Sequence, residues 1–156
     1  MTPHPSTPPV PSSTLGGFRG DHAFLSNFHP CTVTYLGLTY RCSEAAYMAQ
    51  KCAVPGDRDR FLDLDGPAAK RLGAELQLRP GWEWVRIAHM RGALAAKFTQ
   101  NADLRERLLA TGTLQLVEHN TWGDTFWGVC GGVGLNWLGR FLMDLRTLLA
   151  RDLLPA

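Results

Sequence analysis

The amino-acid sequence predicts a helix-rich α+β fold, predominantly helical with a small antiparallel β component. Three observations predict it. Apolar residues recur at helical spacing through the second half of the chain, as at Ile87, Met90, Leu94 and Phe98. A few short runs alternate β-forming residues around a glycine. And 156 residues that are 45% hydrophobic suffice for one core, while 19% charged residues argue against a disordered chain or a coiled coil.

The elements follow in order. Residues 1–17, "MTPHPSTPPVPSSTLGG", hold five of the ten prolines among Ser and Thr, which predicts a disordered tail ahead of a folded domain over 18–156. That tail has neither a basic start nor an apolar centre, so it does not read as a signal peptide. "FRGDHAFLSNFHP" (18–30) reads as irregular structure or a short strand. "CTVTYLGLTYRC" (31–42) reads as a hairpin turning at Gly37. Ser43 is a candidate N-cap for a helix from Glu44 to about Ala53, which Pro55-Gly56 stops. Residues 57–79 give a short helix, a break at Gly66-Pro67 and a second helix. The spacing predicts a longer helix over 82–100, another in "ADLRERLLATG" (102–112) with Gly112 as its stop, a strand in "TLQLVEHN", and a closing helix through Leu138, Phe141, Leu142, Leu145 and Leu149.

Composition excludes several function classes. The formal charge is +2 with no run of Lys or Arg, so nothing marks a duplex nucleic-acid surface. The apolar stretches are too short for a membrane span. The four cysteines form no C-x-x-C pair, and free thiols fit a reducing, cytoplasmic setting. His and Cys do not cluster as metal ligands, and no cofactor is implied. There is no G-x-S-x-G, Walker or G-x-G-x-x-G signature.

Two stretches carry candidate chemistry. Glu44 and Lys51 lie seven residues apart, nearly two helical turns, on one face of the expected helix with Tyr47 and Met48 and with about 10 Å between their Cα atoms. They are either a structural pair or the walls of a site. Residues 119–139, "HNTWGDTFWGVCGGVGLNWLG", interleave Trp122, Phe126 and Trp127 with glycines and lead into a helix N-terminus, which suggests a nucleotide-like or sugar-phosphate ligand. The same features also serve tight packing. Asp124 in this loop and Glu118 before it are the remaining conspicuous acids, and such acids often cap turns.

Taken together and in order, "FLSNF" (24–28), Ser43-Glu44 with Lys51, the series Trp82, Met90, Leu94, Lys97 and Phe98, "LVEHN" (116–120), and the "DTFWG", "NWLG" and "LM-LR" pieces from Asp124 to Arg146 resemble the NADAR family, also called YbiA-like. The resemblance implies an N-glycosidase acting on a ribose phosphate. The substrate is either ADP-ribose on a guanine base, in nucleic acid, or a riboflavin-pathway ribosylamino-pyrimidine phosphate. By position, Glu44 matches the family's essential glutamate, and Lys51 matches a lysine that attacks the anomeric carbon through a Schiff-base type intermediate. Asp124 with Trp127-Gly128 matches the loop bordering the substrate. Ser26, Asn27, Phe28 and Asn136 match positions that shape the pocket. The chain departs from the pattern at Ala45-Ala46, Met48, Val129 and Cys130.

Within that frame, a partly desolvated Glu44 is the acid/base and Lys51 needs an apolar surround, with Tyr47 beside it, to react as a neutral amine. Asp124 would orient a ribose hydroxyl or stabilise charge at the anomeric carbon. Trp127 and Trp82 would stack on a base, and Arg19 would meet phosphate. The competing class is a non-catalytic module that binds ADP-ribose or a nucleotide.

Overall fold

The computed structural model describes residues 13–152; residues 1–12, most of the proline-rich tail, and 153–156 lie outside the described residues. The tail's predicted boundary at residue 17 moves back. Thr14–Gly16 forms strand β1, which buries Leu15 and pairs in parallel with β4 (Gln115–Val117), Leu15 opposite Leu116. No local pattern marks β1, because its partner lies about a hundred residues away.

A 3₁₀ segment, Gly20–Leu25, buries Phe24 and Leu25 and delivers the chain to Ser26–Phe28. Strands β2 (Val33–Tyr35) and β3 (Leu38–Tyr40) make the expected antiparallel hairpin. Its turn places Leu36 at φ 47° and Gly37 at φ 86°, the two left-handed residues that match the twist of a tight hairpin. This ladder alone is antiparallel among the described residues. The third pair, β5 (His119–Asn120) with β6 (Val129–Cys130), is parallel like the first. "TLQLVEHN" therefore serves two ladders, breaking at Glu118.

Helix α1 (Ser43–Ala49) is the centre of the fold, and all seven of its residues are buried. It packs on α2, α3 and the hairpin. Two expectations change here. The cap is Cys42, whose Sγ accepts from the Ala45 amide, because the Ser43 hydroxyl is taken by Asn27 Oδ1 at 2.8 Å. The helix also ends four residues early: the amides of Gln50 and Lys51 reach carbonyls only three residues back, and the Lys51 carbonyl turns away to accept from Arg79. Lys51 is thus outside the helix that was to align it with Glu44.

After a 3₁₀ segment (Pro55–Phe61), α2 (Gly66–Glu75) starts at the Gly66-Pro67 step, with Asp65 capping the Ala68 amide at 2.8 Å. Gly73 lets α2 lie against the Met48 side chain, where any Cβ would collide. Helix α3 (Trp82–Gln100) matches its predicted span. Its buried face runs through Met90, Ala93, Leu94, Lys97 and Phe98, with Ile87 only partly covered. Helices α4 (Ala102–Ala110) and α5 (Trp137–Arg151) complete the set, α5 burying Leu138, Phe141, Leu142 and Leu149. All four cysteines are free, and no helix of the described residues is long and apolar enough to cross a membrane.

Candidate active site

Glu44 occupies the first turn of α1, where a carboxylate suits the helix dipole, yet the helix is sunk in the core. Its amide donates to the Asn27 carbonyl at 3.0 Å, and only 6% of the residue is exposed. Burial pushes its carboxyl up to about 7; Asp124 adds to the rise, while Lys70 and Lys51 oppose it. A carboxyl so placed both gives and takes a proton near neutrality.

One wall beside it is the segment Ser26-Asn27-Phe28. It is fixed from below by Lys97, fully buried, whose Nζ donates to the Ser26 carbonyl at 2.8 Å. Desolvation draws this amine down to about 8. Asn27 accepts from Ser43 and donates to Met90 Sδ at 3.3 Å, so its amide is locked between α1 and α3. All three residues of the segment line the cavity.

A second wall comes from the loop between Asn120 and Gly128, which brings Trp122, Asp124 and Trp127 to the cavity and is folded around two side chains. Asn120 Oδ1 accepts from the Asp124 amide at 3.0 Å and its Nδ2 donates to the Asp124 carbonyl at 2.7 Å. Asp124 Oδ1 then accepts from the amides of Phe126 (3.1 Å) and Trp127 (2.9 Å). Trp127 is thereby held edge-on to Tyr47, with ring centroids 5.6 Å apart, and both line the cavity.

Several expected residues do other work. Trp82 is buried behind Tyr47 (5.3 Å between ring centroids) and stacked on His89, so it supports the wall without forming it. Gly128 is required by packing: a Cβ there would strike the Glu118 carbonyl and approach Asn120 Nδ2 to 2.8 Å. Asn136, left-handed at φ 53°, ties α5 to the strands by accepting from the Glu118 amide (3.0 Å) and donating to the Leu116 carbonyl (2.9 Å). The start of α5 is no anion site, because the amides of Leu135, Asn136, Trp137 and Leu138 already bind carbonyls of the loop. Gly128, Asn136, Trp82, Arg19 and Lys51 are all absent from the cavity wall. Arg19 lies where its charge lowers the Glu118 pKa. Lys51 is half-buried; burial lowers its pKa, Glu44 opposes that, and its own charge acts on Glu44 in return.

What the wall holds instead is Lys70, Glu118 and Trp122, with Met48, Met90 and Leu138 as apolar lining. The cavity measures about 140 Å³. Lys70 projects from α2 with its Nζ 5.8 Å from the Phe28 ring centre and 5.4 Å from that of Trp122, and these two exposed rings flank the mouth. In sequence Lys70 sits in "AAKRLG", an ordinary amphipathic helix, and nothing distinguished it. Glu118 was visible at the end of its strand, but its direction was not. Its Oε2 is buried without a hydrogen-bond partner, and burial raises this carboxyl to about 7 as well, against the pull of Arg19 and Lys70. An unpartnered buried oxygen costs about 1–3 kcal/mol, which a bound donor would recover.

The cavity therefore sets three carboxyls and one amine against aromatic faces. That is a set suited to proton transfer beside a polar ligand, with Lys70 as its one cationic contact among the described residues.

Comparison with known proteins agrees. Residues 17–150 match the NADAR domain. The chain is 42% identical over 134 residues to the N-glycosidase YbiA of Escherichia coli, covering 83% of each, and 38% identical over 129 residues to an N-glycosidase of Nostoc punctiforme, covering 78% of this chain and 81% of that one. It is also 42% identical over 130 residues to a riboflavin biosynthesis protein of Vibrio vulnificus, of which it spans 35%. The NMR structure of Escherichia coli YbiA superposes with a TM-score of 0.81 at 36% identity, covering 92% of this chain and 88% of that one. From Gly17 to Ala150, in its sequence and in the way its helices surround α1, this chain belongs to the NADAR domain family.

Proposed function

We infer that this chain, a hydrolase of N-glycosyl bonds like the relatives it matches, acts on a ribosylamino-pyrimidine phosphate of the riboflavin pathway. The observation that carries the reading is Glu44: a buried carboxyl on the wall of an aromatic cavity, poised near neutrality. The riboflavin name of the Vibrio vulnificus relative supports the substrate class.

The chemistry needs two things. The departing nitrogen must receive a proton, and the anomeric carbon must be stabilised as it becomes positive. Protonated Glu44 gives its proton to the nitrogen as the C1–N bond breaks. The carboxylate left behind faces the cationic carbon, then takes a proton from the water that attacks it, leaving ribose 5-phosphate and free amine. A module that only binds nucleotides gains nothing from a carboxyl held in this state.

Lys70 is the cation that meets the phosphate, in place of Arg19. A charge-assisted contact is worth about 1.5–3 kcal/mol. Lys70→Ala is therefore expected to raise KM for the phosphorylated substrate roughly ten- to a hundredfold while barely changing KM for the unphosphorylated riboside. Steady-state kinetics on the two substrates checks it.

Lys51 acts through Glu44. Its positive charge lowers the Glu44 pKa, so Lys51→Met raises that pKa further and moves the alkaline limb of kcat/KM to higher pH. Complete loss of activity at every pH, with a borohydride-trapped sugar on Lys51 in the unmodified chain, would establish direct attack by this amine instead. The substrate itself is tested by offering the riboflavin-pathway ribosylamine phosphate and, separately, an ADP-ribosyl-guanosine oligonucleotide. Consumption of the first is expected, and exclusive consumption of the second would reassign the substrate.

A further inference from the structure

We propose that Glu118 is a second catalytic carboxyl of this cavity, one that holds the ribose through the hydroxyl on the carbon next to the anomeric centre. The proposal rests on the glycosidase reading and deepens it.

Three observations carry it. Glu118 lines the same cavity as Glu44, from a different element, at the break between β4 and β5. Its backbone is clamped, the amide donating to Asn136 Oδ1 at 3.0 Å and the carbonyl accepting from Val129 at 2.8 Å, so the side chain projects from a fixed base. Gly128 is what permits that clamp, since a Cβ there would meet the Glu118 carbonyl and its Cγ. Finally, Oε2 is buried with no hydrogen-bond partner.

The contrast with Asp124 decides the assignment. Asp124 was the expected partner of the sugar, but its Oδ1 is already shared by two loop amides, so this carboxyl braces the loop. Glu118 has a buried acceptor still open. A sugar hydroxyl supplies the matching donor. Hydrogen bonds to the hydroxyl beside a forming oxocarbenium centre strengthen in the transition state, so a carboxyl held there aids bond breaking as well as binding. Glu118 and Glu44 then divide the work: Glu44 moves the proton, and Glu118 grips the sugar.

The test compares ribose 5-phosphate with 2-deoxyribose 5-phosphate by calorimetry on the full chain. The unmodified protein is expected to bind the ribose compound at least tenfold more tightly. Glu118→Ala is expected to bind both with the same affinity, while its melting curve remains cooperative. If the alanine variant does not fold, Glu118→Met, which fills a similar space without an oxygen acceptor, is expected to lose most of the preference. A preference that survives either folded variant unchanged overturns the proposal, as does an unmodified chain that binds both sugars equally. If the unmodified chain binds neither sugar and releases no base from any ribosylamine, the glycosidase reading fails as well. If it cleaves substrate while the variants keep the preference, only the assignment of Glu118 fails.

Discussion

Glu44→Gln is expected to lower kcat/KM by about a hundredfold to ten-thousandfold, the usual span for removing a positioned acid/base, and to make the protein more stable at pH 8. The two effects share one cause. The folded Glu44 carboxyl titrates near 7 and the ordinary value is 4.5, so the folded state holds this proton more tightly than the unfolded chain does. Where the folded state binds more protons, stability falls as pH rises. The loss begins near 4.5 and is complete above 7, and at about 1.4 kcal/mol per pKa unit it is on the order of 3 kcal/mol. The glutamine side chain carries no such cost. The variant should therefore melt close to the unmodified protein at pH 4 and distinctly above it at pH 8. Glu118 has the same shift in the same direction, so part of the pH slope remains in the variant. Thermal melts across this range, set beside the kinetics, separate an acid kept for chemistry from one that only caps α1. A capping carboxylate would leave the variant less stable at pH 8.

Asp124→Ala is expected to reduce activity at least a hundredfold and to destabilise the loop by about 1 kcal/mol, the cost of losing the acceptor of two part-buried amides. Both losses come from the Phe126 and Trp127 amides that converge on Asp124 Oδ1. Without that acceptor Trp127 is no longer held edge-on to Tyr47, and the cavity loses the part of its wall that Trp127 forms. Asp124→Asn distinguishes a brace from a reacting group, because its carbonyl oxygen accepts the same two amides. It is expected to stay within tenfold of the unmodified chain in kcat/KM and to melt within a degree or two of it. If the asparagine variant is as inactive as the alanine variant while melting normally, Asp124 touches the reacting sugar and the roles given to it and Glu118 must be exchanged.

How far the sequence told this story depends on the range of each interaction. Helix α3 was legible because Met90, Leu94 and Phe98 repeat at the helical period, a local property of a helix packed on one side. The hairpin was legible from Gly37 and its flanking β-formers. The two parallel ladders were not, since β1 pairs with β4 about a hundred residues away and no local pattern marks that partner. The end of α1 was misplaced because no glycine or proline stands at Gln50-Lys51; the tertiary bond from Arg79 to the Lys51 carbonyl helps turn the chain there.

The site divides along the same line. Glu44, Ser26, Asn27, Phe28, Tyr47, Asp124 and Trp127 were named from sequence and line the cavity. Lys51 was given its place by a helix two turns long, and the helix is shorter than that. Trp82 and Asn136 look like ligand residues by type, yet one stacks behind the wall and the other pins α5. Lys70 was unreadable, because only the packing of α2 on α1, with Gly73 against Met48, carries its amine to the cavity mouth.

The most direct measurement is single-turnover release of free base and ribose 5-phosphate from the ribosylamino-pyrimidine phosphate, by the unmodified chain and by Glu44→Gln. With Glu44 as proton donor, the unmodified chain splits the substrate at least a hundredfold faster than the folded variant does. Equal release of both products by the two proteins would contradict the account.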